Sequence, residues 1–378
     1  MKILVTAIRI FTGALFIFSG LVKAIDPKGL AFKMQEFFEV WSRDGFMPGV
    51  MKTFDANALT FSIIMITLEV VVGVALIIGW SKKLTVWILL LLMLFFTFLT
   101  SFVLFTNKIK ACGCFGDCIP LTPIQTFTKD IILLVFVIFL MINLKYITPI
   151  AKPLFNYLYV IGATALVLFL QAHVLKNLPL VDCLPYKAGN NILELRKMPA
   201  NAVQDKFEYT FIYEKSGEKK EFKADATPDS TWTFVDRKQT LIQKGSNNVP
   251  LITDFSLTTE NGNDSTEDIL NTKTEYYLFY IKDMEGYPSK GWNSDIAFLN
   301  TARNQNKKVY IVTAALEKVK AHFNAAGENK AIMDNVTFLT CDATVMKTVA
   351  RVNPTLYLMD GALVKQKWSW NNLDAIKN

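Results

Sequence analysis

Apolar positions are distributed unevenly along the chain. Up to about residue 175 the sequence is dominated by Leu, Ile, Val and Phe; beyond it Lys, Glu, Asp, Asn and Thr take over. Five continuous apolar runs, at about 3–21, 59–80, 84–105, 126–142 and 154–175, are each long enough to cross ~30 Å of hydrocarbon as a helix. The first run is too long for a signal-peptide core, and Ser19-Gly20-Leu21-Val22-Lys23 offers no Ala-x-Ala cleavage pattern, so an uncleaved spanning helix is expected. Between the first two runs, residues 26–56 place Phe32, Phe37, Phe38 and Trp41 among Gln35, Glu36 and several lysines, a pattern for an amphipathic helix resting on the membrane surface or covering a site there.

After residue 176 the periodicity changes. Residues 207–222 alternate as a hairpin with a turn at Ser216-Gly217, and 232–235 and 240–242 read as further strands. From about residue 276 strands and helices alternate: strands at 276–281, 308–313 and 336–340, helices at 292–305, 316–325 and 343–352, and a closing hairpin turning at Asp360-Gly361. Such alternation builds an α/β layer. The expected fold is an α-helical membrane bundle of about five helices at 1–176, a β-rich connector at 177–260 and an α/β domain at 261–378.

Charge adds a topology. The net charge is +7, yet the basic residues are spread along the whole chain and form no basic face with interleaved aromatics, which argues against nucleic-acid binding. Lys2, Lys82-Lys83 and the segment from Lys145 to Lys152 fall on one side of the five runs, and the positive-inside rule makes that side cytoplasmic. The opposite loops and everything after residue 176 then face outward, which in a bacterium means the inner membrane with the C-terminal domain in the periplasm. Lys28, Lys33, Lys108 and Lys110 run against this assignment.

The candidate chemistry is concentrated in Cys112-Gly113-Cys114-Phe115-Gly116-Asp117-Cys118, which holds three of the five cysteines between the third and fourth runs. Only a thiolate attacks a disulfide, so a reactive cysteine here needs a lowered pKa and access. Lys108, Lys110 and the dipole of the following helix favour a thiolate, and Asp117 opposes it. Cys112 and Cys114 are close for an unstrained bridge; Cys114–Cys118 or Cys112–Cys118 spans a turn more comfortably, with the third thiol as exchanger and Cys183 as a resolving partner. A purely structural disulfide is the competing reading. A zinc site is a third, although His173 and His322 are remote in sequence. Cys341 ends a strand and reads as a buried small hydrophobe. Glu69, mid-span, costs at least ~2.5 kcal/mol unless paired or protonated. It is either a proton or quinone site or the partner of Arg9 or Lys23 in holding two helices together. His173 reads as an interface histidine near the end of the fifth span.

Several of these residues resemble a known family. Residues 13–23 with Asp26-Pro27, Glu69 with Gly73 and Gly79, and above all Cys112-Gly113-Cys114-Phe115-Gly116 resemble the DoxX/MauE membrane proteins over about residues 1–145. The C-terminal strand order resembles a thioredoxin fold of TlpA type, with residues 249–257 as its lead-in and Asn353-Pro354-Thr355 where thioredoxins carry a cis-proline. One departure is decisive: the stretch 282–292, where the redox pair belongs, contains no cysteine.

The resemblance implies a Bacteroidetes-type fusion that acts as a membrane thiol–disulfide or quinone-linked oxidoreductase, or as a disulfide-formation factor for exported proteins. Cys112, Cys114, Cys118 and Cys183 are then the candidate catalytic residues, Glu69 and Arg9 the candidate cofactor-side residues, and a quinone the candidate acceptor. Membrane lipids and an exported client or envelope-complex subunit are the expected partners. The alternative is a non-catalytic assembly subunit that docks a partner through its thioredoxin-like domain, so enzymatic activity is left open at this point.

Overall fold

The computed structural model describes residues 1–110, 112–243, 245–288, 291–325 and 333–376. Ala111 at the head of the cysteine motif and Ser289-Lys290 in the 282–292 stretch lie outside them.

Among the described residues five helices are long and apolar enough to span a membrane: α1 (Lys2–Ala24), α4 (Ala58–Ile78), α5 (Lys82–Thr106), α6 (Pro123–Ile142) and α7 (Pro153–Lys176). Their ends follow local rules. Gly79 stops α4 at φ 72°, a left-handed position that costs glycine no Cβ clash. Pro123 opens α6 behind a capping box in which Thr122 and Gln125 satisfy each other's backbone N–H groups. The segment predicted as an amphipathic helix forms two helices, α2 (Pro27–Arg43), capped by Asp26 through the Gly29 N–H, and α3 (Pro48–Ala56).

The bundle is tightest between α1 and α4. A Cβ built on Gly13 would meet the Gly73 carbonyl oxygen at 2.8 Å, and one built on Gly73 would meet that of Gly13 at 2.7 Å. Small residues permit this backbone approach where no hydrophobic force separates protein from lipid.

The C-terminal domain carries a six-stranded sheet. Its strands are β4 (Thr258–Thr259), β5 (Glu275–Tyr280), β6 (Val309–Thr313), β7 (Val336–Thr340), β8 (Thr355–Asp360) and β9 (Leu363–Ser369), in the order β4-β7-β6-β5-β8-β9. β5, β6 and β7 are parallel; β8 and β9 are antiparallel additions. The crossovers are the helices Gly291–Asn304, Leu316–Ala325 and Ala343–Val349. Apolar cores cover both faces, and β5 and β6 are almost wholly buried, as parallel strands must be. The Asn353–Pro354 bond is cis at the head of β8. This strand order, with one extra βα unit before the closing hairpin, makes the domain thioredoxin-like.

The expected connector at 177–260 is corrected. A three-stranded antiparallel sheet, β2-β1-β3, does form from β1 (Lys206–Lys215), β2 (Glu218–Lys223) and β3 (Thr233–Gln243). Tyr186 and Ile192 before it, and Ile252, Phe255 and Leu257 after it, are buried in the thioredoxin-like core, and the Ile192 N–H donates to the Ala362 carbonyl oxygen. The small sheet is therefore an excursion out of the thioredoxin-like domain. Alternation alone reports strands, not the core that their flanks join.

Candidate functional site

The cysteine motif lies in the loop between α5 and α6. Gly113 (φ 72°) and Gly116 (φ 58°) supply the left-handed positions that fold it back, and the Gly116 N–H donates to the Gly113 carbonyl oxygen at 2.9 Å. The turn brings the Cys112 and Cys114 sulfurs to 2.9 Å, both free and both buried. Cys118 is bonded instead to Cys183, just beyond α7. The expected bridges Cys114–Cys118 and Cys112–Cys118 are thus corrected. The charge pattern already put Cys183 on the same face as the loop; spacing could not reveal that the chain beyond α7 brings it into bonding reach of Cys118 in particular.

The two free thiols are inequivalent. The Cys112–Cys114 hydrogen bond holds the Cys114 thiol below its ordinary value against the opposing effect of burial, with Lys129 and Lys23 assisting; Cys112 is driven well above its own by that hydrogen bond and by burial. The helpful cation comes from the first turns of α6, not from Lys108, which is paired with Asp44 at the surface at 2.7 Å.

Directly beneath the pair lies a buried polar cluster. Lys23 meets Glu69 at 2.5 Å, and the Ser19 hydroxyl reaches Glu69 at 3.1 Å and the Cys114 carbonyl oxygen at 3.2 Å. Lys129 pairs with Asp130 at 2.6 Å and sits 5.0 Å from the centroid of the Phe115 ring, while the Thr100 hydroxyl donates to Asp130 at 3.1 Å. Of the two partners considered for Glu69, the structure selects Lys23. Arg9 is not part of this site: its guanidinium donates to the Ile77 and Thr148 carbonyl oxygens. It stands fourteen residues along α1 from Lys23, roughly 21 Å at the helical rise. It closes the opposite end of the bundle, because Ile77 lies in the last turn of α4, where carbonyls lack helical partners.

The space enclosed by Ser19, Lys23, Glu69, Phe96, Cys114 and Lys129 has a volume of ≈ 20 Å³. That is room for a water and not for a quinone ring. Among the described residues no group of three or more His, Cys, Asp or Glu side chains is placed to hold a metal ion. His173 lies in the last turn of α7, stacked on Phe169 and against Asn177. Cys341 is buried in the thioredoxin-like core, where burial pushes its thiol up to about 11.

Sequence reasoning missed Lys129 and Asp130, although two charges inside a predicted span were a usable signal. It also missed how the thioredoxin-like domain seats on the loop. Arg351, buried, pairs with Asp26 and with Asp117 at 2.8 Å each. Phe32 of α2 lies beneath three cations, with Lys282, Lys347 and Arg351 at 5.8, 5.4 and 5.3 Å from its ring centroid. Where thioredoxins carry their thiols, the Asn353 side chain instead bonds the backbone of Lys282 and Asp283. A cleft of ≈ 650 Å³ remains between the domains, lined by Cys118, Cys183, Phe32, Lys347 and Arg351 among others.

Two separate parts of the chain match family models. Residues 1–144 match the family model of the methylamine utilisation protein MauE, and residues 207–244, the small sheet, match a domain of unknown function. Protein TlpB of Flavobacterium psychrophilum is 33% identical over 176 residues, which is 45% of this chain and 45% of its own, so the match spans less than half of that relative. A solved structure of BsSco, a member of the Sco family of cytochrome c oxidase assembly proteins, overlaps 33% of this chain and 88% of its own at 14% identity and a TM-score of 0.25. The thioredoxin-like description rests on the strand order and the cis-proline position. The chain is thus a MauE-like membrane domain continued by a thioredoxin-like domain.

Proposed function

We propose that this protein is a membrane-bound thiol–disulfide oxidoreductase working on exported protein clients at the periplasmic face of a bacterial inner membrane, with Cys112 and Cys114 as its working pair. The observation that carries the reading is the 2.9 Å approach of two free sulfurs, one favoured as thiolate and the other held as thiol. That asymmetry separates an attacking from a resolving cysteine. Cys114 attacks one sulfur of a disulfide, forming a mixed disulfide and releasing the first thiolate. Cys112 gives up its proton and attacks Cys114, closing Cys112–Cys114 and releasing the second thiolate. Two electrons leave the pair; run backwards, the same steps oxidise a dithiol. Lys129 and Lys23 stabilise the thiolate from below. The ≈ 20 Å³ space at Cys114 does not fit a quinone, and no step is routed through one.

Thiol trapping in whole cells tests this. Cys112 and Cys114 should shift between free and bonded forms as the envelope is made more oxidising or more reducing. Permanently free thiols, with Cys-to-Ser variants losing only abundance, would refute it.

A second reading has its own support. The thioredoxin-like domain has no cysteine at 282–292 and lays its Lys282, Lys347 and Arg351 on Phe32 of α2. We assign it a docking role, and no redox step of its own.

A further inference from the structure

Cys112 and Cys114 are buried, at 7% and 8% exposure, so a thiol carried on a protein cannot reach them directly. The opening beside them is ≈ 140 Å³ and is partly roofed by the Lys33 stem, whose Cγ lies 3.0 Å from where a Cβ on Gly113 would sit. That is below the ~300 Å³ of a small-molecule pocket. Cys118 and Cys183 are placed differently. Both are partly exposed, and both line the ≈ 650 Å³ cleft between the domains. Cys114 and Cys118 also share a single run of turn residues, with Gly116 at φ 58° between them.

We propose that Cys118–Cys183 is a second redox pair, which exchanges with Cys112 and Cys114 inside the chain and presents the electrons to a cysteine-bearing client segment in the interdomain cleft. This rests on the oxidoreductase reading and supplies its route to the outside. Cys114 as thiolate attacks the Cys118 sulfur; the Cys114–Cys118 bond forms, the Cys118–Cys183 bond breaks, and Cys183 leaves as thiolate. Cys112 then attacks Cys114; Cys112–Cys114 forms and Cys118 leaves as thiolate, the Cys112 proton passing to solvent or to a departing thiolate. One dithiol and one disulfide become one disulfide and one dithiol, so no outside oxidant is needed for the internal step. The exposed Cys118/Cys183 dithiol reduces a client disulfide by the same two displacements, and in reverse the Cys118–Cys183 bond oxidises a client dithiol.

The exchange also changes what ties the molecule together. Cys118 belongs to the membrane domain and Cys183 to the segment leading into the thioredoxin-like core, so opening their bond leaves docking to Arg351 with Asp26 and Asp117, to Lys347 with Gln35 and to the cations over Phe32.

The test uses the full chain in lipid nanodiscs, poised over a range of reduced-to-oxidised glutathione ratios, acid-quenched, alkylated and mapped for disulfides by mass spectrometry. In the wild-type chain two isomers are expected at intermediate poise: Cys118–Cys183 with Cys112 and Cys114 alkylated, and Cys112–Cys114 with Cys118 and Cys183 alkylated. In Cys112→Ser the resolving step is missing, so the Cys114–Cys118 intermediate should be enriched about tenfold over wild type. If Cys112–Cys114 forms and reopens while Cys118–Cys183 stays closed, the relay is wrong and the oxidoreductase reading survives. If Cys112 and Cys114 remain thiols at every poise, that reading fails and takes the relay with it. The wild-type mapping decides both points without relying on a variant's folding.

Discussion

At the residue scale the pairs are specified by neighbours more than by composition. Cys114 is held below the ordinary thiol range chiefly by its hydrogen bond with Cys112, with Lys129 assisting. The Cys114 sulfur takes up a proton only as pH falls through this lowered value, so its reactivity persists to lower pH than a free cysteine's before it is lost. Lys129→Gln removes the cation and should move the half-point of Cys114 alkylation to higher pH, measured with a small iodoacetamide reagent on the full chain. Loss of labelling with no shift of the half-point would instead mean that Lys129 acts only on access. Cys341, pushed up to about 11 and packed in the core, should stay unlabelled under native conditions. The Lys23–Glu69 pair makes a different demand. Lys23→Met leaves a buried carboxylate alone, which costs about 3–5 kcal/mol. The double variant Lys23→Met/Glu69→Leu should recover most of the lost thermal stability in detergent. Recovered stability without recovered thiol exchange would show that the pair also serves the chemistry above it.

At the element scale the decisive contact is α1 against α4. The Gly13 and Gly73 backbones approach so closely that a side chain at either position meets a carbonyl oxygen under 3 Å. Gly73→Val should therefore destabilise by about 1–3 kcal/mol through overpacking, read as a lower unfolding temperature in nanodiscs. The same substitution at Gly162 of α7, with open space around it, should change little. The five spans and the surface helix are close to what hydropathy predicts, because a bilayer permits few other solutions for such runs. The small sheet shows the limit of local pattern. Its strands are legible as alternation, yet the core that Tyr186, Ile192 and Phe255 build on either side of it is a non-local fact.

At the scale of the whole molecule, the thioredoxin-like domain is held over the cysteine loop by the Cys118–Cys183 bond, by cations over Phe32 and by the buried Arg351. Arg351→Met removes the partner of both Asp26 and Asp117 and should expose Cys183 and the cleft, seen as faster proteolysis of residues 177–185. Its effect should be larger once Cys118–Cys183 is reduced. Lys28 gives a pH handle on the same interface: burial first, then Lys282, bring it down to about 8, with Asp26 and Asp283 opposing. Once undocked, Lys28 returns to its ordinary value and binds the proton more readily, so the docked state gains stability as pH rises from about 8 toward 10. A melting-temperature series across that window should rise in the wild-type chain and flatten in Lys28→Met; a flat wild-type series would show that Lys28 does not report on docking.

The sequence by itself determined the five spans, the strand–helix alternation of the C-terminal domain and the gathering of three cysteines in one loop. Each of these is written in local pattern, in hydropathy or in the spacing of a short motif, and bilayer and backbone physics admit few readings of such patterns. Only the tertiary structure decided that Cys118 bonds Cys183, that Cys112 and Cys114 are the free pair, that Glu69 answers to Lys23 while Arg9 closes the far end of the bundle, and that Arg351 and Phe32 join the domains. These partners are separated by 46 to 325 residues, apart from the Cys112–Cys114 pair. Their meeting depends on how the helices pack within the bundle and on how a folded domain is set down upon it, which no window of sequence contains.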